Sequence, residues 1–169
     1  MKKLFFVSIA LLSVLVFSAC SQDEIVTKKP EIQGEHSVRR VTNMVGLPAN
    51  VTFQPLTESV TLKLDVVTDE KIDITLPATT YNYNGVEMTI PEFTINNVPV
   101  MTTSNNELWI FEFKFDINED GKKDDFIEGH VRTNGELKFT VIYKYGKMPF
   151  VIEQTLQTLD YNVIFGGAY

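Results

Sequence analysis

The fold of this chain is decided by the stretch NGELKFTVIYKY, residues 134–145. Its large apolar side chains stand at every second position, at Leu137, Phe139, Val141, Tyr143 and Tyr145. This two-residue period is typical of a β-strand that buries one face and exposes the other. The Asn134-Gly135 pair ahead of the strand favours a tight turn between antiparallel neighbours. The stretch therefore predicts one arm of a β-hairpin.

The same period continues along most of the chain. A long strand is predicted where aromatic residues alternate with polar ones, at Trp109, Phe111, Phe113 and Phe115. A second tight-turn pair, Asn84-Gly85, lies between two further alternating segments. No stretch beyond residue 37 repeats its apolar residues with the period of a helix over three turns. We therefore predict an all-β protein, an antiparallel up-and-down meander of roughly nine or ten strands.

Such a meander does not remain a flat open sheet, because a flat sheet would expose two edges and one apolar face. It either closes into a barrel, which we predict, or folds over into a β-sandwich. The inner faces then carry five aromatic residues, namely Trp109, Phe111, Phe113, Phe139 and Tyr143. These side chains either fill the interior of the barrel or line a ligand pocket within it.

The amino terminus has the features of a secretory signal peptide. Lys2 and Lys3 are followed by an apolar run from Leu4 to Phe17 and then by Ser18-Ala19-Cys20. Small residues ahead of a cysteine match a bacterial lipobox, and Cys20 is the only cysteine in the chain. We therefore predict that Cys20 is the lipid attachment point. The alternative is ordinary cleavage next to Cys20.

These features divide the chain into three parts. Residues 1–19 are predicted to be the signal peptide, residues 20–37 a flexible polar tether, and residues 38–169 a single β domain. The segment Ser21-Gln22-Asp23-Glu24, directly after the cysteine, resembles the export signal of surface lipoproteins of the Bacteroidota. The resemblance implies a lipid-anchored protein of the bacterial outer membrane, exposed at the cell surface. An ordinary solvated tether is the alternative.

The net charge excludes one class of partner. The full chain carries −7, and removal of the signal peptide with Lys2 and Lys3 changes this to −9. So acidic a protein is not attracted to phosphate backbones. We therefore predict no nucleic-acid partner.

An acidic segment, DINEDGKKDD (residues 116–125), is similar to the first part of a calcium-binding loop. The candidate ligands are Asp116, Asn118, Asp120, the carbonyl oxygen of Lys122, Asp124 and, beyond the segment, Glu128. Gly121 permits the sharp bend that such a loop needs. The twelfth position is Ile127 instead of glutamate, and strands flank the loop, so the segment is not an EF-hand. We predict a structural Ca²⁺ here; the alternative is a polar hairpin loop without metal.

The sequence offers little for catalysis. Lipidation would occupy the Cys20 thiol, and the chain has neither a Gly-x-Ser-x-Gly motif nor a zinc-type histidine pair. The two histidines, His36 and His130, are far apart in the sequence, and a solvated strand position is favoured for the second. We therefore predict that the protein is not an enzyme.

The chain resembles the calycin-like lipoproteins of the Bacteroidota, which are placed with lipocalin-type barrels. The resemblance lies in the lipobox, the tight-turn meander and two stretches, PEFTINNVPV (residues 91–100) and GHVRTNGELKFTVIYKYGKMPF (residues 129–150). The shared motifs are strand and turn patterns, and no binding residue can be transferred. The resemblance implies a lipocalin-like barrel whose interior holds an apolar small molecule.

Together these observations predict a lipid-anchored, non-enzymatic binding module for a small apolar or amphipathic ligand. Its partners would be the membrane, through Cys20, and that ligand. The alternative is a structural or interaction protein that assists glycan capture or adhesion with an outer face of the barrel.

Overall fold

The computed structural model describes residues 32–102 and 108–158, and its regular structure consists of β-strands. The strands are β1 (Gly34–Val45), β2 (Leu56–Thr68), β3 (Lys71–Leu76), β4 (Thr79–Tyr83), β5 (Val86–Ile90), β6 (Phe93–Pro99), β7 (Met101–Thr102), β8 (Leu108–Phe115), β9 (Asp125–Arg132), β10 (Leu137–Tyr143) and β11 (Val151–Thr158). The described residues form no helix of the length and apolarity that crossing a membrane requires.

Nine of the strands form one antiparallel sheet in the order β6-β3-β2-β1-β11-β10-β9-β8-β7. Its two edge strands, β6 and β7, are consecutive pieces of one segment that is interrupted only at Val100. This segment pairs with β3 through β6 and with β8 through β7, so the sheet curls into a nearly closed barrel. The prediction of an all-β antiparallel barrel is confirmed, and the sandwich alternative is excluded.

Two residues of β6 explain why the barrel is not fully closed. In the described part of the chain, β6 and β8 are neighbours in space but share no hydrogen-bond ladder. Pro99 has no backbone N–H to donate to β8. Asn97 has a φ of 55°, and nearby the register between β6 and β3 shifts. Prolines and bulges of this kind interrupt pairing at a strand edge.

The inward faces of the barrel strands carry the apolar residues that the two-residue period predicts. Leu62, Leu64, Ile72, Ile74 and Val141 are each 0% exposed. Burial of one such side chain contributes about 1.5–3 kcal/mol to the free energy of unfolding. The core therefore occupies the interior of the barrel.

Strands β4 and β5 form a separate two-stranded sheet outside the barrel ladder. Their turn, Asn84-Gly85, has positive φ angles of 53° and 79°, as predicted for an Asn-Gly hairpin turn. The hairpin packs at the end of the barrel where β10 leads into β11, since the ring centroids of Tyr83 and Phe150 lie 4.9 Å apart. We call this end of the barrel the hairpin end. The opposite end, where the chain enters β1 at Gly34, is the entry end.

Two local features differ from the sequence-based expectations. Strand β1 begins at Gly34, within the stretch predicted as tether, because Gly34 and His36 take inward positions that a search for apolar residues misses. The turn between β9 and β10 has three residues, 133–135, with bonds between Arg132 N and Glu136 O (2.8 Å) and between Gly135 N and Arg132 O (3.0 Å). Residues 159–169, at the end of the predicted β domain, lie outside the described residues.

Candidate functional site

The aromatic residues predicted for the interior are packed against one another. Trp109, Phe111, Phe139 and Tyr143 are each at most 2% exposed, and Phe113 is half-buried. The rings of Phe111 and Phe139 meet edge to face, with their centroids 5.8 Å apart. Of the two roles predicted for these side chains, the contacts favour filling of the interior over lining of a pocket.

Gly129 allows this packing. It lies in register between Phe111 on β8 and Phe139 on β10. A Cβ atom at this position would lie 2.1 Å from the Cβ of Phe139 and 2.5 Å from the carbonyl oxygen of Lys138. No real side chain tolerates such distances, so the close approach of β9 and β10 requires glycine.

Towards the hairpin end the interior becomes polar around Arg40, which is 1% exposed. The guanidinium donates to the Glu58 carboxylate from Nε (3.0 Å) and Nη2 (2.7 Å). It also donates to the carbonyl oxygens of Pro77 (2.7 Å) and Ala78 (2.8 Å), which lead from β3 into β4. Arg40 therefore fastens the base of the hairpin to the barrel wall. The alternation that starts at Val38 places Arg40 on the inner face, and this signal could have identified it.

A second polar group of the interior surrounds Gln154. Its Nε2 donates to Thr79 Oγ1 (2.8 Å) and Thr42 Oγ1 (3.3 Å). Within the described part of the chain, Gln154 Oε1 and the Tyr143 hydroxyl are buried without a hydrogen-bond partner. Burial raises the pKa of the Tyr143 phenol, which is therefore neutral at physiological pH.

An apolar groove opens at the hairpin end, between the β4–β5 hairpin and the connection from β10 to β11. Its volume is 390 Å³, which lies within the range of small-molecule sites. We call it the hairpin groove; its main lining side chains are Tyr83, Met88, Tyr145, Lys147, Met148 and Phe150. The Tyr81 hydroxyl donates to Met148 Sδ (3.1 Å) and so holds the two walls together. Sequence reasoning missed the groove because its walls come from segments that meet only in the folded protein.

The acidic loop after β8 is organised by its own backbone. The Asp116 carboxylate accepts bonds from the backbone N–H groups of Asp120 (3.2 Å) and Gly121 (2.7 Å). Asp120 accepts from the backbone N–H of Lys122 (2.9 Å), whose ammonium lies 3.5 Å from the same carboxylate. These contacts reduce the repulsion among the carboxylates that a cation would otherwise relieve.

Two further residues tie this loop to the connection between β10 and β11. Asn118 donates to Lys144 O and accepts from Gly146 N, both at 2.6 Å. The Asp125 carboxylate is 1% exposed and accepts from the backbone N–H groups of Ile117 (2.7 Å) and Lys144 (2.9 Å). Burial raises the pKa of Asp125, although the two amide donors act in the opposite direction.

This arrangement does not fit a calcium centre. Among the described residues, no three acidic, histidine or cysteine side chains come together as a metal site. Asp124 is exposed, and Glu128 points outward from β9, about 10 Å along the strand from Asp125. The polar loop without metal, the alternative weighed from the sequence, agrees better with this geometry.

Removal of divalent cations is therefore expected to leave the thermal stability unchanged. Among the described residues the candidate ligands are not gathered into one group, so a bound cation would require the loop and β9 to rearrange. The measurement is the melting temperature in EDTA compared with millimolar CaCl₂. A higher melting temperature in calcium would support the calcium site predicted from the sequence, because a ligand of the folded state raises it.

Replacement of Asp125 by asparagine is expected to destabilise the fold by about 1–3 kcal/mol, since an amide has one oxygen for two N–H donors. The matched control is Asp124→Asn, an exposed neighbour, which is expected to change the stability by less than about 0.5 kcal/mol. Urea unfolding of both variants measures the difference. Equal midpoints for the two variants would contradict the structural role of Asp125.

A second depression, of 460 Å³, lies on the outer face of β8, β9 and β10. We call it the outer trough; its outward-pointing side chains are Ile110, Glu112, Glu128, His130, Lys138 and Thr140. Glu112 and Glu128 are cross-strand partners, an unfavourable pairing of like charges. Burial and the charges of Arg132 and Lys138 lower the pKa of His130, whose imidazole is therefore neutral at pH 7.

Comparisons with known proteins add information about the fold. No model of a protein family matches the chain, and no curated protein matches it. Among solved structures, the chain is similar to the crystal structure of a predicted outer membrane protein from Bacteroides fragilis NCTC 9343, with a TM-score of 0.56 and 18% sequence identity. The match covers 75% of this chain and 50% of the other, so this chain spans about half the length of that protein. At this identity the likeness shows a shared fold.

Proposed function

We propose that this protein is a lipid-anchored protein of the bacterial envelope that binds a small apolar or amphipathic molecule in the hairpin groove. The groove itself is the observation that supports binding. It places Met88, Met148 and aromatic rings around an accessible volume of 390 Å³. Flexible thioether side chains adapt to ligands of irregular shape.

The proposed place in the envelope has two independent supports. The sequence ahead of the described residues contains a lipobox ending in Cys20. The similar solved structure is that of a predicted outer membrane protein of a Bacteroides species. Both agree with the resemblance to calycin-like lipoproteins. The proposal therefore includes lipidation of Cys20 and exposure of the protein at the cell surface.

An amphipathic ligand agrees with the composition of the groove. Lys147 is the one charged residue among those that line it, and two tyrosines, Tyr83 and Tyr145, add hydroxyl groups. The lining contains no carboxylate, histidine or cysteine that could act on a ligand. We therefore propose binding without catalysis.

Titration with an environment-sensitive apolar dye tests the groove. The protein should bind the dye saturably, and Met88→Glu should weaken binding about tenfold or more, which corresponds to about 1.4 kcal/mol. Val86→Glu is the control on the same hairpin, because Val86 is 62% exposed and does not line the groove. Melting temperatures verify that both variants fold. Equal dye affinity in all three proteins would contradict binding in the groove.

Identification of the natural ligand needs an unbiased experiment. The protein is purified from its native envelope, and mass spectrometry identifies the molecules that accompany it. We expect an apolar or amphipathic compound that is depleted in the Met88→Glu variant and retained in Val86→Glu.

A second candidate function, capture of glycans, is favoured by the outer trough. Its carboxylates, imidazole, ammonium and hydroxyl offer both acceptors and donors to a saccharide. A glycan array probed with the protein and with a Glu112→Gln, Lys138→Met variant tests this function. Binding that disappears in the variant would support it, and an empty array would count against it.

A further inference from the structure

The start of the described chain is fixed at the entry end of the barrel. Ile32 is 1% exposed and belongs to the core. The Gln33 side chain donates from Nε2 to Asp65 Oδ1 (2.9 Å) and accepts from the backbone N–H of Val66 through Oε1 (2.5 Å). The connection to Cys20 therefore joins the domain beside the end of β2.

The same end of the barrel exposes several apolar side chains. Val66 and Val67, at the end of β2, are 39% and 47% exposed, and Met101 and Ile110 are 59% and 38% exposed. Met101 and Ile110 are cross-strand partners on β7 and β8. The turn after β2 is held beside β7, because the backbone N–H of Val100 donates to Glu70 O (2.8 Å). We call these four apolar residues the entry-end patch.

The length of the connection limits how far this patch can lie from a membrane. Twelve residue steps separate Cys20 from Ile32. Even a fully extended connection of this length spans no more than about 40 Å. A lipid on Cys20 would therefore hold the entry end, at which the connection joins the domain, within this distance of the bilayer.

We propose that the entry-end patch rests on the membrane surface, so that the barrel stands on its entry end and presents the hairpin groove to the aqueous side. This inference rests on the lipid anchoring proposed above. Exposed apolar side chains that share one end of a molecule are suited to contact with a partner or a membrane. Strand β1 runs between the two ends, and its twelve residues, tilted as barrel strands are, separate them by roughly 30 Å.

The charge of the turn between β2 and β3 indicates which lipid headgroups the entry-end patch can contact. Asp69 and Glu70 lie between the end of β2 and β3, next to Val67. Lys71, the first residue of β3, offsets one of these charges, and the remaining negative charge disfavours a surface of anionic lipids. The patch is therefore suited to zwitterionic headgroups.

Fluorescence quenching by the bilayer tests this orientation in the full lipidated chain. The variants Val67→Cys and Val86→Cys, at two exposed valines at opposite ends, are each labelled with a fluorophore. Cys20 does not react with the label when its sulfur carries the lipid. The labelled proteins are inserted into phosphatidylcholine vesicles that contain nitroxide lipids. We expect the label at Val67 to lose most of its fluorescence and the label at Val86 to keep its intensity.

Flotation of the vesicles in a density gradient distinguishes a failure of the proposed orientation from a failure of the lipid anchor. Protein that floats with the vesicles, but shows equal quenching at both positions or stronger quenching at Val86, would overturn the orientation and leave the anchor intact. Protein that does not float would contradict lipid anchoring, and with it this orientation. Melting temperatures of the two labelled variants, expected to equal that of the parent, verify that both retain the fold.

Discussion

Replacement of Arg40 by alanine is expected to destabilise the protein by about 3 kcal/mol, because a buried guanidinium loses its bonds to a partly exposed carboxylate and to two carbonyl groups. The change leaves Glu58 without its partner and deprives the carbonyl oxygens of Pro77 and Ala78 of their donors. Urea unfolding, followed by the fluorescence of the single tryptophan, Trp109, measures the loss.

The adjacent residue supplies the control for this experiment. Arg39 is exposed on the outer face of β1, so Arg39→Ala is expected to change the stability by less than about 0.5 kcal/mol. Arg40→Lys retains the charge but loses the forked geometry that reaches Glu58 and two carbonyl groups together. We expect it to be intermediate. Equal stability of Arg39→Ala and Arg40→Ala would refute the fastening role of Arg40.

Replacement of Gly129 by alanine is expected to have a comparable effect, a loss of about 3 kcal/mol or more, at the upper end of the range for overpacking. The new methyl group would lie 2.1 Å from the Cβ of Phe139 and 2.5 Å from the carbonyl oxygen of Lys138. Neither atom is the end of a flexible side chain, so β9 and β10 would have to separate. Thermal and urea unfolding measure the loss.

Gly135 provides a contrast at the turn between the same two strands. A Cβ atom there meets nothing within 4 Å. The cost of the substitution therefore comes only from the φ of 85° at Gly135, a left-handed conformation that alanine adopts with strain. Gly135→Ala is therefore expected to cost about 1–2 kcal/mol. If Gly129→Ala is the more stable of the two variants, the close approach of β9 and β10 is not as described.

The regular part of the fold could be predicted because one physical signal repeats in it. The two-residue period places Leu62, Ile74 and Phe139 on inward faces, and a long meander with one apolar face must curl. The signal weakens wherever an inward position holds a polar residue or a glycine. The start of β1 is therefore not predicted, because Gly34 takes an inward position, and Gly129 interrupts the alternation of apolar and polar residues in β9.

The candidate site was less accessible to sequence reasoning. The spacing of the acidic loop predicts a set of cation ligands, because spacing alone does not show that Glu128 lies about 10 Å along β9 from Asp125. The two-residue period predicts an inward position for the aromatic residues of β8 and β10, but filling and lining require the same residue types. The hairpin groove depends on the meeting of Tyr83 with Phe150, and no local pattern encodes such a contact.

The pairing of β3 with β6 has a consequence for how this molecule could diversify. The ring of hydrogen-bonded strands bypasses β4 and β5, which are attached through Arg40 near Pro77 and Ala78 and through the packing of Tyr81 and Tyr83 on Phe150. The exposed residues 84–87 at the tip of the hairpin can therefore be exchanged for other sequences while the supporting scaffold keeps its shape. Mutation during evolution, or protein engineering, could therefore introduce new binding specificities at this hairpin without altering the barrel that supports it.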